Sequence, residues 1–238
     1  MLTLALDTCD ARGSVAVLRD STVLASTRHD SPDDYSIWLL PAVDRTLAAA
    51  HLGLAEIDLY AVAAGPGSFT GVRAGLTTVK AWAEVYRRPA VGVSRLEALA
   101  SQAPPASDLV AAFFDARREQ LFAALFERNA GGFALLGEES LIAPQDFLAF
   151  VAKQAEARPV HWVSLDPQAV SHSSAWPARE LLGESVQAAD PLLAPAIARI
   201  ALRAAAAGRS VGALELDANY IRRCDAEVFQ KGSAAHGK

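Results

Sequence analysis

The chain has 238 residues, enough for one large domain or two small ones, and its 52% apolar and 21% charged content excludes a disordered chain. A net charge of -5 leaves little counterion-release energy to gain from phosphates, so unaided gripping of tRNA or DNA is not expected. Two cysteines, Cys9 and Cys224, exclude a disulfide framework and suit a reducing compartment.

The N-terminus opens on a strand, Leu2–Leu6, that ends at Asp7; it lacks the basic leader and apolar core of a signal peptide. No apolar run reaches the length of a membrane span, so no membrane contact and a cytoplasmic location are expected. A polar turn through Cys9, Asp10 and Gly13 leads to strands Val15–Leu18 and Val23–Arg28. Asp30-Ser31-Pro32-Asp33 supplies helix-start signals, and Tyr35, Trp38, Leu39, Ala42, Val43, Leu47 and Ala50 then share one helical face, closed by Gly53. Strand Leu59–Ala64 runs into Gly65-Pro66-Gly67-Ser68-Phe69-Thr70-Gly71, and a second helix carries Val72, Leu76, Val79, Ala83 and Tyr86 as far as Pro89. Ala90–Val93 is a short strand, and Ser94 caps a helix containing Leu96 and Leu99.

Gln102-Ala103-Pro104-Pro105 reads as a linker, after which the opening pattern returns. Strand Leu109–Phe114 ends at Asp115, a polar turn Ala116–Gln120 follows, and Leu121–Phe126 and Phe133–Leu136 give two more strands. A duplicated β-β-β-α unit is what a two-lobed actin-like or sugar-kinase-like fold would show. Helix Gln145–Lys153, strand Val160–Ser164 and helix Pro191–Ala206 complete the chain, with a frayed Gly/Ala/Lys-rich tail from Gly232. The expected division is an N-terminal lobe 1–103, a reduced C-terminal lobe 104–231 with helix 191–206 a candidate to pack back on the first, and a tail 232–238.

The glycine stretch is the sharpest local feature. A strand feeding a glycine-rich turn and then a helix presents backbone N–H groups to an anion, so Gly65, Gly67, Ser68, Thr70 and Gly71, with Asp7, form a candidate anion or nucleotide loop. The other reading is a tight turn with Ser68 or Thr70 as helix N-cap. The stretch is neither a P-loop, since Val72-Arg73 follows Gly71, nor a dinucleotide fingerprint, nor a nucleophile elbow. Asp7 and Asp115 stand at strand ends where nucleotide-binding folds place acids, but Asp7-Thr8-Cys9 and Asp115-Ala116-Arg117 lack the glycine of a phosphate-wrapping turn. An independent ATPase or kinase is therefore not expected; the alternative is acids that cap turns. The five histidines show no ligand pairing and there is no Cys-x-x-Cys, so no catalytic residue and no metal site are assigned. Both early helices are apolar on a second face. Tyr35, Ile37, Trp38, Leu40 and Pro41 on the first, with Ala74, Gly75, Trp82 and Val85 on the second, form a candidate partner interface.

Gly65-Pro66-Gly67-Ser68-Phe69-Thr70-Gly71-Val72-Arg73 resembles the signature of the TsaB (YeaZ) family. The resemblance extends to Leu4–Thr8, Leu39-Leu40-Pro41, Val91–Ala100, Asp115–Arg118 and Tyr220–Glu227, and is loose over residues 140–215. It departs at Tyr35-Ser36, where the family often has His-Ser, and at Cys9, usually Ser. The resemblance implies a duplicated actin-like, RNase-H-like α/β fold with a degenerate nucleotide site and no catalysis of its own. It also implies pairing with TsaD, which forms N6-threonylcarbamoyladenosine beside the anticodon of tRNAs reading codons that begin with A. TsaE, a small ATPase, joins that complex, and self-association uses the first two helices. No cofactor is implied for the chain alone, ATP belonging to the complex if anywhere, and tRNA contact is indirect. The alternative function is an actin-like ATPase or a glycoprotease-type peptidase.

Overall fold

The computed structural model describes residues 1–31, 33–219 and 221. Strands β1 (Leu2–Asp7), β2 (Ser14–Arg19), β3 (Thr22–Arg28), β4 (Leu59–Gly65) and β5 (Ala90–Ser94) form one sheet in the order β3-β2-β1-β4-β5. Strands β6 (Leu109–Asp115), β7 (Leu121–Asn129), β8 (Gly132–Ile142), β9 (Val160–Ser164) and β10 (Val186–Ala188) form a second, in the order β10-β9-β6-β7-β8. Read from opposite ends the two orders coincide. In each, the opening strand has an antiparallel meander on one side and parallel strands on the other. The duplication suggested by pattern is thus present in topology.

Among the described residues, four helices cover the first sheet. Helix α1 (Tyr35–Ala49) packs on β2 and β3, α2 (Phe69–Tyr86) on β4, and α7 (Ala194–Ala206) on β1, β2, β4 and β5. Every residue of β4 is buried, as expected of a parallel strand with both faces covered. The short α3 (Arg95–Ala100) joins the lobes, touching β4 and β5 on one side and β6, β7 and β9 on the other. Alternation along β6 divides the core. Val110, Ala112 and Phe114 join the apolar cluster containing Leu96, Leu99 and the first sheet, whereas Leu109, Ala111 and Phe113 face Phe147 and Trp162 in a second cluster. That second cluster is closed by α4 (Pro144–Ala155), α5 (Gln168–Ser171) and α6 (Trp176–Glu180). Beyond α7 the chain turns back along β5: Val211 pairs with Ala90, and the Asn219 amide donates to the Ala64 carbonyl.

Several boundaries differ from the sequence reading. Helix α1 stops at Ala49, and the left-handed residue that follows it is His51 at φ 55, ahead of the Gly53 expected to close the helix. Gly53 instead donates its amide to the Glu56 carboxylate and opens a single 3-10 turn, Leu54–Glu56. Helix α7 begins at Ala194, not Pro191, and its first amide donates to Ser14 Oγ in the first lobe. Strand β8 runs to Ile142, past Gly137 at φ 84. Helices α5 and α6 and strand β10 were not foreseen. Pro32, the tail from Gly232, and Tyr220 and residues 222–227 of the late motif lie outside the described residues.

Candidate functional site

The β1–β2 turn places Asp7 at the end of a buried strand, where its carboxylate is fully enclosed. Asp7 Oδ1 accepts the Cys9 amide, and Oδ2 accepts Arg95 Nε at 3.1 Å. Arg95 is the first residue of α3 and also fully buried, its guanidinium 4.9 Å from the Phe114 ring centroid. Its Nη2 lies 2.9 Å from Asp10 Oδ1, within ion-pair distance although the alignment falls short of a hydrogen bond. Burial alone would lower the Arg95 pKa, but Asp7 and then Asp10 outweigh it and raise it, so the guanidinium stays charged. Burial would likewise raise Asp10; Arg95, by charge and contact, and then Arg12 overcome this and hold it at about 2. Burial and the charge of Asp7 push the Cys9 thiol well up, which disfavours a thiolate. Asp7 thus belongs to an internal, fully buried ion pair.

The glycine stretch is closed down on that same turn. A Cβ at Gly71 would meet the Thr8 carbonyl oxygen far inside contact distance, and one at Gly67 the Cys9 carbonyl. Gly65, at φ 113, lies against the Asn219 carbonyl. The Ser68 amide donates to the Cys9 carbonyl at 2.6 Å, and Ser68 Oγ caps α2 by accepting, at 3.5 Å, from Gly71. These glycines allow the first turn of α2 to sit directly on β1–β2. Of the two candidate caps, Ser68 is the N-cap of α2. Thr70 is exposed on α2.

Of the candidate loop, Gly67 and Ser68 reach a cleft of about 530 Å³ between the lobes, where they meet Cys9, Asp10, Arg12, Phe114, Asp115, Arg117 and Asp166. Arg12 crosses this cleft to Asp166 at 2.9 Å. Asp115 is exposed, accepts the Arg117 amide at Oδ1, and donates its own amide to Asp166. Arg117, Arg118 and Glu119 all have φ between 55° and 65°. Three consecutive non-glycine residues in this region cost roughly 1–2 kcal/mol each. Among the described residues no three His, Cys, Asp or Glu side chains are placed to hold a metal.

The two helices assigned to a partner divide in their roles. Ile37 and Leu40 on α1 and Val85 on α2 are 64%, 55% and 71% exposed, and Pro41 is exposed beside them. Trp38 is turned inward, edge-on to His29, and Gly75 faces Thr8 and Val62, so both belong to the core rather than to the outer face. Tyr35 is half-buried, with its hydroxyl donating to the Asp10 carbonyl. Burial and then Asp7 and Asp10 raise its pKa. Trp82 is half-buried against Tyr60, and Ala74 is half-buried. Sequence reasoning missed Arg95 and Asp166. For Arg95 the available signal was a lone cation in the mostly apolar run Val91–Ala100, where Ser94 and Glu97 are the other polar residues.

A profile of the family described as TsaD, tRNA N6-adenosine threonylcarbamoyltransferase, matches residues 29–199. The chain belongs to this family. Within it the chain stands with the TsaB (YeaZ) proteins. It is 35% identical over 131 residues to the tRNA threonylcarbamoyladenosine biosynthesis protein TsaB of Bacillus subtilis, and 34% over 134 residues to that of Escherichia coli. These matches cover 55% and 56% of the chain and 57% and 58% of the relatives, so the chain spans little more than half the length of the curated relatives it matches. A crystal structure of a Pseudomonas aeruginosa protein described as similar to peptidase YeaZ superposes with a TM-score of 0.79 at 29% identity, covering 93% of this chain and 99% of that one. A ROK hexokinase from Thermus thermophilus, at a TM-score of 0.50 and 12% identity over 85% of this chain and 98% of its own, shares the fold alone. The TsaB-like chain thus has the two-lobed actin-like α/β fold. Among its described residues no helix is long and apolar enough to cross a membrane.

Proposed function

We propose that this chain is a non-catalytic subunit in formation of tRNA N6-threonylcarbamoyladenosine, docking on TsaD and holding that transferase in its working shape. TsaE joins the pair, and copies of the chain self-associate through the same helices when TsaD is absent. The modified adenosine lies next to the anticodon of tRNAs reading codons that begin with A, and this acidic subunit contacts tRNA only through its partners. Its place is the cytoplasm.

The observation that carries the reading is the outer face of α1, where Ile37 and Leu40 stand in solvent opposite a stripe already spent on the core. Leu181, Leu182 and Leu214 are also exposed, but they lie in turns rather than on a long helix. The absence of independent chemistry is supported by the Asp7–Arg95 pair, which occupies the strand-end acid with a buried cation, and by glycines spent on packing. ATP would then bind only within the complex.

Co-purification with TsaD, followed by assay of modified tRNA with and without this subunit, tests the proposal. Leu40→Glu places an unpaired charge in the docking face and weakens the complex by several kcal/mol, measured by titration calorimetry, while the folded monomer keeps its stability. Unchanged TsaD affinity sinks the assigned surface. Steady ATP or peptide hydrolysis by the isolated chain, abolished by Asp7→Ala, sinks the non-catalytic reading.

A further inference from the structure

We propose that Arg12 is a clasp between the two lobes, and that Tyr35 ties this clasp to the outer helix α1. Arg12 sits in the β1–β2 turn, yet its guanidinium is shared between carboxylates of both lobes. On the first-lobe side Nε and Nη2 donate to Asp10 Oδ2 at 3.2 and 2.7 Å. On the second-lobe side Nη1 and Nη2 donate to the two oxygens of Asp166 at 2.9 and 3.3 Å, and Nη1 also donates to the Leu165 carbonyl at 3.2 Å. The fork of an arginine matches a carboxylate in this way, and a lysine would not. Asp166 is itself fixed: its amide donates to Ser164 Oγ at the end of β9, and its Oδ2 accepts the Asp115 amide at the end of β6. The clasp therefore grips the ends of two second-lobe strands. Arg12 is 37% and Asp166 30% exposed, so water can replace the contact. Behind it, the apolar packing of α3 between the sheets gives the lobes a joint about which to turn.

The other end of the chain of contacts lies on α1. Tyr35, its first residue, donates its hydroxyl to the Asp10 carbonyl, and the absence of a side chain at Gly13 leaves room for that hydroxyl. The ring is held between His29 and Trp38, with centroids 4.9 and 5.8 Å away. Ile37 lies in the same turn and Leu40 on the next turn of that helix. A shift of the first turn of α1 thus reaches Asp10 through one hydrogen bond and the second lobe through one guanidinium. Coupling of this kind needs an element that both ends bias, and the Asp10–Arg12–Asp166 bridge, made or broken, is that element. The clasp stands whether or not TsaD is the partner, because it is a property of the isolated chain.

Spin labels at Thr22→Cys and Lys153→Cys, one exposed site on each lobe, in a Cys224→Ser background report the interlobe distance by pulsed EPR. Arg12→Ala and Asp166→Asn should each broaden the distribution and move it to longer distances, and the double variant should go no further than the wider single, since both remove one contact. Tyr35→Phe alters only the first lobe, yet should broaden the same distribution, whereas Arg45→Ala, exposed on the same helix, should not. Circular dichroism confirms that each variant is folded. Should a variant not fold, raising the salt concentration on the wild-type chain loosens the exposed part of the bridge and should produce the same broadening. Distributions that stay as wild type in Arg12→Ala, Asp166→Asn and high salt overturn the clasp. A wild-type distribution in Tyr35→Phe alongside an opened Arg12→Ala overturns the tie to α1.

Discussion

The two lobes repeat one topology, and they treat the acid at the end of the opening strand in opposite ways. In the first lobe Asp7 is sealed inside, bonded to the buried Arg95, and the following turn is clamped by the α2 glycines. In the second lobe Asp115 stands exposed, its ion pair with Arg117 loose at 3.9 Å, and the following turn holds three residues in left-handed conformation. A repeated backbone thus does not preserve a repeated electrostatic environment. Both turns line the cleft; where a cation has been buried against the acid, the acid itself has become part of the core, and where none has, it stays exposed.

Breaking the first-lobe pair should give the largest effect. Arg95→Met leaves Asp7 buried without a counter-charge and should destabilise by about 3–5 kcal/mol in urea unfolding, with Asp7→Asn/Arg95→Met recovering much of the loss. Gly71→Ala pushes a Cβ into the backbone of Thr8 and should cost about 3 kcal/mol by the same measurement. Acid sharpens the contrast further. Asp10 is held at about 2 against its ordinary 3.8, so the folded state is favoured above 3.8 and that advantage disappears as pH falls from 3.8 towards 2. The loss should be about 2 kcal/mol, and Asp10→Asn should lack this portion of the acid dependence. Asp115→Asn, the second-lobe counterpart, should stay within about 0.5 kcal/mol. A large effect there would mean that the two turns are more alike than their burial shows.

Much of the architecture was legible because the informative segments are long and periodic. The α1 and α2 stripes, from Leu39 to Leu47 and from Val72 to Ala83, coincide with the buried residues of those helices. Helices α5 and α6 were missed because four and five residues carry no readable period, and β10 has only three. The second half of β8 was missed because Gly137 and the polar Glu138-Glu139-Ser140 interrupt the apolar pattern, as does the register shift opposite Ala123 and Leu125. At the site, the glycine stretch drew attention for its resemblance to an anion cradle, while its packing against Thr8 and Cys9 is a contact between distant segments that spacing cannot reveal. Trp38 shows the same limit: a large ring near a helix border falls inward or outward according to its neighbours, here His29 and Tyr35.

The return of the chain along β5 has a consequence for anyone shortening this protein. Strand β5 is the outermost strand of the first sheet, and residues 211–219 occupy its free side through Val211 and reach the end of β4 through Asn219. Cutting after Gly208 would free the Ala90 amide and carbonyl and the Ala64 carbonyl and uncover the flank of β5 at Gly92 against which Leu216 lies, an invitation to strand-to-strand stacking between molecules. Such a truncated chain should precipitate on concentration even though it keeps both sheets and every helix named above, which makes residues 211–219 a solubility element.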